Sequence, residues 1–210
     1  MPKGGHILKG KRIILRKLRH SDAKSIHRHA KHKDIARFTE LPHPYRLKHA
    51  KDFIKEAKKT KDSHSFGIEL MDERGVIGII TLSKIDYEHK KARVGFWLSK
   101  EHHWKGIMSE ALFLILDFAF NKLKLNRVAC SVFEENIASN NLVQKFGFVK
   151  EGTEREEELR FGKYYHTVMY GLLRREWLAK RKELSRLLFY KDMNLPEQGK
   201  CHPERNCNEN

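Results

Sequence analysis

The period of apolar positions changes several times along this chain, and each change marks an element. "RIILRKL" (12–18) alternates and is β-branched, so it reads as a strand. "HSDAKSIHRHAKH" opens on a Ser21/Asp22 cap signal and continues as a polar, basic helix. "LPHPY" (41–45) breaks the chain with two prolines, and Leu47, Ala50, Phe53, Ile54 and Ala57 then recur at the spacing of an amphipathic helix. "SFGIELM", "VIGIITLSKI" and "KARVGFWLS" are three strand-like segments, with "MDERG" and "DYEHKK" as turns. From about Ile107 to Lys122 a helix is apolar on nearly every side and is expected to be buried. "RVACSVF" reads as a strand and "NIASNNLVQKF" as a short helix stopped by Gly147. "TEREEEL" and "YYHTVMYGLL" read as strands joined by "RFGK", a hairpin.

The predicted order is strand, two helices, three strands, helix, strand, helix, two strands. That is a mixed α/β chain with a long antiparallel meander and one strand–helix–strand crossover, without the regular alternation of a doubly wound sheet. A domain is expected over residues 1–178. The polar extension 179–210 adds one helix in "KRKELSRLLFYKDM" and then a disordered tail, "NLPEQGKCHPERNCNEN".

Composition narrows the setting. The longest apolar run, "ALFLILDFAF", is interrupted by Asp117 and is too short to span a bilayer. "MPKGGHILKGKR" lacks the apolar core of a signal peptide. Cys130, Cys201 and Cys207 supply no disulfide framework, so a reducing cytoplasm is the expected compartment. The net charge of +16 is uneven: residues 1–64 hold 19 Lys and Arg against 6 Asp and Glu, whereas residues 65–170 hold 15 of each. A basic N-terminal third on a neutral body attracts polyanions, with ribosomal or other RNA surfaces or an acidic protein as candidates. Solvated basic helices without a partner remain the plain alternative.

Chemistry enters at "HHWKGIMSEA" (102–111). A strand ending at Leu98 passes through a short loop into a helix whose first turn is Gly106-Ile107-Met108-Ser109. Glycine lets an anion approach the backbone, the helix start supplies free amides, and Lys105 adds a charged donor. One strand later, in "ENIASNNLVQKFGFVKEG", Asn136 is placed to cap the next helix, with Phe146 and Phe148 as core on either side of Gly147. Each segment alone has an ordinary structural explanation; the pair, in order and separated by one strand, is specific.

Together "HWKGIMSEA" and "NIASNNLVQKFGFVKEG" resemble the acetyl-CoA-binding half of the GNAT acetyltransferases, and most of all the branch that acetylates the N-terminal amine of ribosomal proteins. The resemblance extends to "RIILRKLRHSDA", "DIARF", "GVIGIITL" and "GKYYHTVMYGLLRREW", about residues 10–178. It implies a central mixed, mostly antiparallel twisted sheet of about seven strands flanked by about four helices. It also implies acetyl-CoA as cosubstrate and no metal. A splayed strand matching Phe96, Trp97 and Leu98 would offer its backbone to the pantetheine arm. The pyrophosphate would rest on His103 through Ser109, that is on His103, Lys105, Gly106, Ile107, Met108 and Ser109, and Asn136 would contact the cofactor. His103 and Met108 depart from the superfamily's usual Gln or Arg and Gly or Ala. The Gly-Ile-Met variant matches the ribosomal-protein branch. Val143 stands where many members carry a general-acid tyrosine. In its place the resemblance implies Ser139, whose hydroxyl would bond the departing thiolate, and Glu158 as base. In a regular strand Glu154, Glu156 and Glu158 would share one face.

The acceptor is an amine that must be neutral to attack. At pH 7 an α-amine with pKa near 7.8 is roughly one-seventh neutral, against about 0.04 per cent for a lysine near 10.4, a difference of about 3.5 kcal/mol. A site with one carboxylate base and no tyrosine fits a protein N-terminus, with a ribosomal protein as the candidate, better than a lysine. Two other readings stay open: a small amine such as a polyamine, amino acid or aminoglycoside, and a non-catalytic RNA- or ribosome-binding module using residues 1–64. Monomer and homodimer are both open. His27, His29, His32, His102 and His103 lack ligand spacing for zinc. Cys130 reads as core rather than nucleophile, and Tyr164 and Tyr165 as buried hairpin aromatics more than groove residues.

Overall fold

A computed structural model describes residues 7–189. Eight strands form a single sheet: β1 Leu8–Lys9, β2 Ile13–Lys17, β3 His64–Leu70, β4 Val76–Asp86, β5 Lys91–Leu98, β6 Arg127–Phe133, β7 Val149–Arg160 and β8 Lys163–Leu173. Six α-helices accompany it: α1 Ala23–Ala30, α2 Lys33–Arg37, α3 Leu47–Lys59, α4 Ile107–Asp117, α5 Ile137–Lys145 and α6 Arg174–Phe189. The order across the sheet is β1-β2-β3-β4-β5-β6-β8-β7. Every neighbour is antiparallel except β5 and β6, whose parallel pairing follows from the crossover through α4.

The count exceeds the seven strands and four helices expected. β1 is two residues added at the sheet's edge, the expected first helix is divided into a 3-10 turn at His20–Asp22 and α1, α2 follows it as a separate short helix, and α6 takes in the helix expected in the extension. Asp22 explains that division, because it is not a free cap. Its carboxylate is buried, taking the Arg16 guanidinium at 2.8 and 3.0 Å and the Arg19 amide at 2.7 Å, which fixes the chain where β2 turns into the helices.

The main core lies where α4 packs on the sheet. Ala111, Leu112, Ile115, Leu116, Ala119 and Phe120 have no exposure, so the near-continuous apolar run is sandwiched. After Asp117 the helix widens into a π turn over Phe118–Lys122. α6 closes the other side, with Trp177 fully buried and Phe189 packed on Phe113 at a 5.2 Å ring separation. The boundary expected at residue 178 therefore falls inside α6, whose last turns still belong to the core. The expected disordered tail, with Cys201 and Cys207, lies outside the described residues. A second cluster, Ile26, Ala50, Ile54 and Ile79 among others, seats α1 and α3 against the sheet.

The hairpin between β7 and β8 turns on Phe161 and Gly162, with φ of 51° and 77°, the two-residue geometry that matches strand twist. The glutamate row expected on β7 is interrupted. Glu154 pairs with Thr167 and Glu158 with Tyr165, so three residues of β7 oppose one of β8, and Glu156 takes φ 53°. Glu154 and Glu158 keep a common face; Glu156 lies within the bulge.

Candidate active site

β5 and β6 pair only over Lys91–Arg93 and Arg127–Ala129 and then separate. Their outer edges stay paired, β5 with β4 through Leu98 and β6 with β8 through Phe133. The separation thus leaves two strand edges open inside the sheet. The alternation of the ladders says which groups face it. Ser99 donates to the Ile77 carbonyl at 2.8 Å, so in the same register Trp97 is committed to Ile79 and β4. The main-chain groups of Val94, Phe96 and Leu98 face the gap. Likewise Glu134 donates to the His166 carbonyl at 3.0 Å, which turns the main chain of Ser131 and Phe133 toward the gap. The Phe133 carbonyl is taken by the Asn136 amide at 2.9 Å and by Asn140 Nδ2 at 3.0 Å; the strand-edge groups without such a partner invite a ligand with its own amides.

Both helices that frame the gap begin at its wide end. Gly106 is the N-cap of α4 with φ 73°, and no side chain caps this end. The first amide satisfied within the helix is that of Glu110, from the Gly106 carbonyl at 3.1 Å, which leaves the amides of Ile107, Met108 and Ser109 at the helix start. Lys105 is exposed beside them. His103 donates from Nε2 to the Leu98 carbonyl at 2.9 Å, tying the loop to the end of β5 and occupying one of the groups that face the gap. Trp104 is 88% exposed at φ 62°. At α5, the Asn136 Oδ1 accepts from the Ser139 amide at 3.2 Å, as the sequence predicts for a cap. Ser139 is half-buried in that first turn.

Three side chains that sequence reasoning passed over hold these parts in place. Glu110, 1% exposed, accepts from the amides of Lys11, Arg12 (2.9 Å) and Ile13 (3.4 Å) and from Arg12 Nε at 3.1 Å. Arg12 in turn donates to the Lys105 carbonyl at 2.7 Å. The bare helix start is thereby tied to the beginning of β2 across the fold. The second signal is Asn140. Its Nδ2 faces the carbonyls of Phe133 (3.0 Å), Glu134 (3.3 Å) and Asn136 (2.9 Å), while its Oδ1 accepts from the Tyr170 hydroxyl at 2.8 Å. A buried amide inside "NIASNN", next to a strand end, was the available hint.

At the end of the gap, Tyr165 packs on Phe133 with rings 5.6 Å apart, and Glu158 sits opposite Tyr165 on the same face. Glu158 is half-buried, 3.7 Å from Arg160 Nε, and Glu154 accepts from the Thr167 hydroxyl at 3.4 Å. Tyr165 is buried as expected, yet it also lines a cavity with Lys33, Asp34, Arg37 and Phe161; Tyr164 is exposed instead. Val143 is fully buried. Burial pushes the Cys130 thiol up to about 12, which leaves it without thiolate at neutral pH. Among the described residues no three His, Cys, Asp or Glu side chains are grouped to hold a metal, and no helix is long and apolar enough to cross a membrane. The histidines are spread over separate tasks: His102 bonds Ser99 at 2.6 Å and His103 bonds Leu98.

Residues 12–149 match the family profile described as an acetyltransferase (GNAT) domain. The chain belongs to the GNAT acetyltransferases. It is 30% identical to the uncharacterized N-acetyltransferase YoaA of Bacillus subtilis over 80% of this chain and 97% of that protein. It is 36% identical, over 53% of this chain and 62% of the relative, to YdaF of the same organism, provisionally named a ribosomal N-acetyltransferase. Among solved structures it is similar to spermidine N-acetyltransferase from Vibrio cholerae in complex with CoA and spermine, with a TM-score of 0.73, 25% identity, and coverage of 80% of this chain and 99% of that one. GNAT membership makes this chain an N-acetyltransferase, and GNAT enzymes use acetyl-CoA. The gap, the bare helix start and the capped α5 are the parts of this GNAT fold that fit such a cosubstrate: open backbone edges suit the pantetheine amides and free helix amides suit a pyrophosphate.

Proposed function

We propose that this enzyme transfers the acetyl group of acetyl-CoA to the N-terminal α-amine of a protein, a ribosomal protein being the first candidate. The observation that carries the reading is the gap between β5 and β6. At Phe133 it reaches Tyr165, which lies opposite Glu158 and also lines a cavity with Lys33, Asp34, Arg37 and Phe161, and half-buried Ser139 stands in the first turn of α5. In this reading Phe96 and Leu98 offer main-chain groups to pantetheine, with Trp97 holding the strand to β4. His103, Lys105, Gly106, Ile107, Met108 and Ser109 form the phosphate cradle, and Asn136 orients the first turn of α5. Bound acetyl-CoA supplies a thioester carbonyl and a thiol leaving group. Glu158, directly or through one water, accepts the proton that the amine gives up as its nitrogen–carbon bond forms. The Ser139 hydroxyl donates to the sulfur as its bond to carbon breaks, and a thiolate of pKa about 8.5 needs no stronger acid.

The relative provisionally named a ribosomal N-acetyltransferase supports this acceptor, and the basic N-terminal third offers a surface for a ribosome or ribosomal RNA. A second reading, a polyamine acceptor, draws on the spermidine N-acetyltransferase neighbour and on the shared face of Glu154 and Glu158. Labelled acetyl-CoA added with the enzyme to a lysate lacking it separates the two. Label on the N-terminus of a ribosomal protein is expected; label confined to small amines would replace the first reading with the second.

A further inference from the structure

The cavity beyond Glu158 has a charge character of its own. A solvent-open cavity of about 260 Å³ lies between α2 and the β7–β8 hairpin, lined by Lys33, Asp34, Arg37, Phe161 and Tyr165. Counting the partners of the lining residues, Asp34 and Glu135 meet four cations, with Glu158 opposite Tyr165 as a third carboxylate. Asp34 is bonded by Lys100 at 2.7 Å, and Glu135 is shared by Lys163 at 2.6 Å and Arg37 at 3.3 Å. Each carboxyl is held below its ordinary value by the lysine bonded to it. Lys33 lies over the Phe161 ring, 5.2 Å from its centroid, and Lys163 also lies over Tyr165 at 4.9 Å. The rim is therefore cationic after internal pairing, with aromatic walls that hold the cations in place.

Resting on the reading above, we propose that the acceptor carries a carboxylate close to its reactive amine: an acidic side chain within the first few residues of the polypeptide, selected by Lys33, Arg37 and Lys163. The amine reaches the position beside Glu158, while the chain behind it lies against Tyr165 and Phe161, so its next side chains pass the cationic rim. A carboxylate there meets Lys33 and the unshared charge of Arg37 and Lys163. A polyamine, or a lysine at the same place, meets like charge.

The test uses the full chain, acetyl-CoA and synthetic peptides of one length. Each peptide begins with Ala or Ser and carries Glu, Gln or Lys at positions two to four, and spermidine is run alongside. The Glu peptides are expected to exceed the Lys peptides about tenfold in kcat/KM, with the margin shrinking as salt is raised. In Lys33→Glu and Lys163→Glu the Glu-to-Lys ratio is expected to fall toward one or invert. Because the ratio is internal to each variant, a loss of folded enzyme does not mimic the result. Equal rates on all peptides would overturn the acid preference while leaving N-terminal acetylation standing. Spermidine turned over far faster than every peptide would overturn both.

Discussion

Glu110→Gln isolates one arm of the tie between β2 and the start of α4. In the native chain Oε1 takes the amides of Lys11, Arg12 and Ile13, and Oε2 takes Arg12 Nε at 3.1 Å. Glutamine keeps an oxygen for the amides but turns an NH2 toward Arg12, setting donor against donor. A charge-assisted hydrogen bond contributes about 1.5–3 kcal/mol, and the half-exposed Arg12 side chain calls for a solvent discount. The expected loss is about 1–2 kcal/mol, or roughly 3–6 °C in Tm for a chain of this size. Glu110→Ala strands the amides as well and leaves a void, for about 3–5 kcal/mol. The functional consequence is separate. With its anchor gone, Arg12 no longer holds the Lys105 carbonyl, so the loop before Gly106 loosens. The KM for acetyl-CoA is expected to rise several-fold in Glu110→Gln, with kcat changed less. Differential scanning calorimetry and initial rates at varied acetyl-CoA check both. If Glu110→Gln and Glu110→Ala each melt within about 1 °C of the parent, the carboxylate is not the fastener that its contacts indicate.

Gly106→Asp places a negative side chain on the phosphate cradle, and a Cβ there already comes within 3.2 Å of an Arg12 guanidinium nitrogen; acetyl-CoA affinity by calorimetry is expected to fall at least about tenfold. Glu158→Gln is expected to lower kcat about 10²-fold at pH 7 and to recover part of it near pH 9, where an α-amine is neutral without help; a flat deficit across that range would remove Glu158 as the base. Ser139→Ala is expected to cost about tenfold in kcat with acetyl-CoA KM unchanged, read by steady-state rates. Glu69, bonded by Arg16, has its carboxyl held below its ordinary 4.5. Its stabilisation is therefore complete above about pH 4.5 and lost as pH falls through the lowered value, so Glu69→Gln should flatten the acid limb of a Tm-against-pH curve.

The parts legible in the sequence are those whose cause is local. Gly106 had to stand where a helix begins without a cap, Asn136 beside a first-turn amide, and Gly147, at φ 89°, where α5 stops. Each follows from backbone geometry within a few residues. The apolar run of α4 showed its burial because no face of it could meet water. Glu110 lay inside that run as the one carboxylate near its start, but its partners are nearly a hundred residues away, in Lys11, Arg12 and Ile13 where β2 begins, and no local period encodes that distance. Asn140 was hidden differently: an asparagine two positions into a polar stretch looks like surface, and only the ends of β6 and β8 make it a buried four-way junction.

The glutamate row shows why alternation alone fails near a site. Period two placed Glu154, Glu156 and Glu158 together, yet the chain spends three residues against one partner to shift the register, and Glu156 gives up extended geometry to do so. An unbroken row would set three like charges on one face next to a gap that, in the proposed reading, admits an amine and its peptide. The bulge moves Glu156 out and leaves Glu158 opposite Tyr165, the residue that joins the gap at Phe133 to the cationic cavity at Arg37. In the proposed reading a base at the amine and cations behind it are opposite demands on neighbouring positions. The irregular hairpin meets both, by separating in register what the sequence puts side by side.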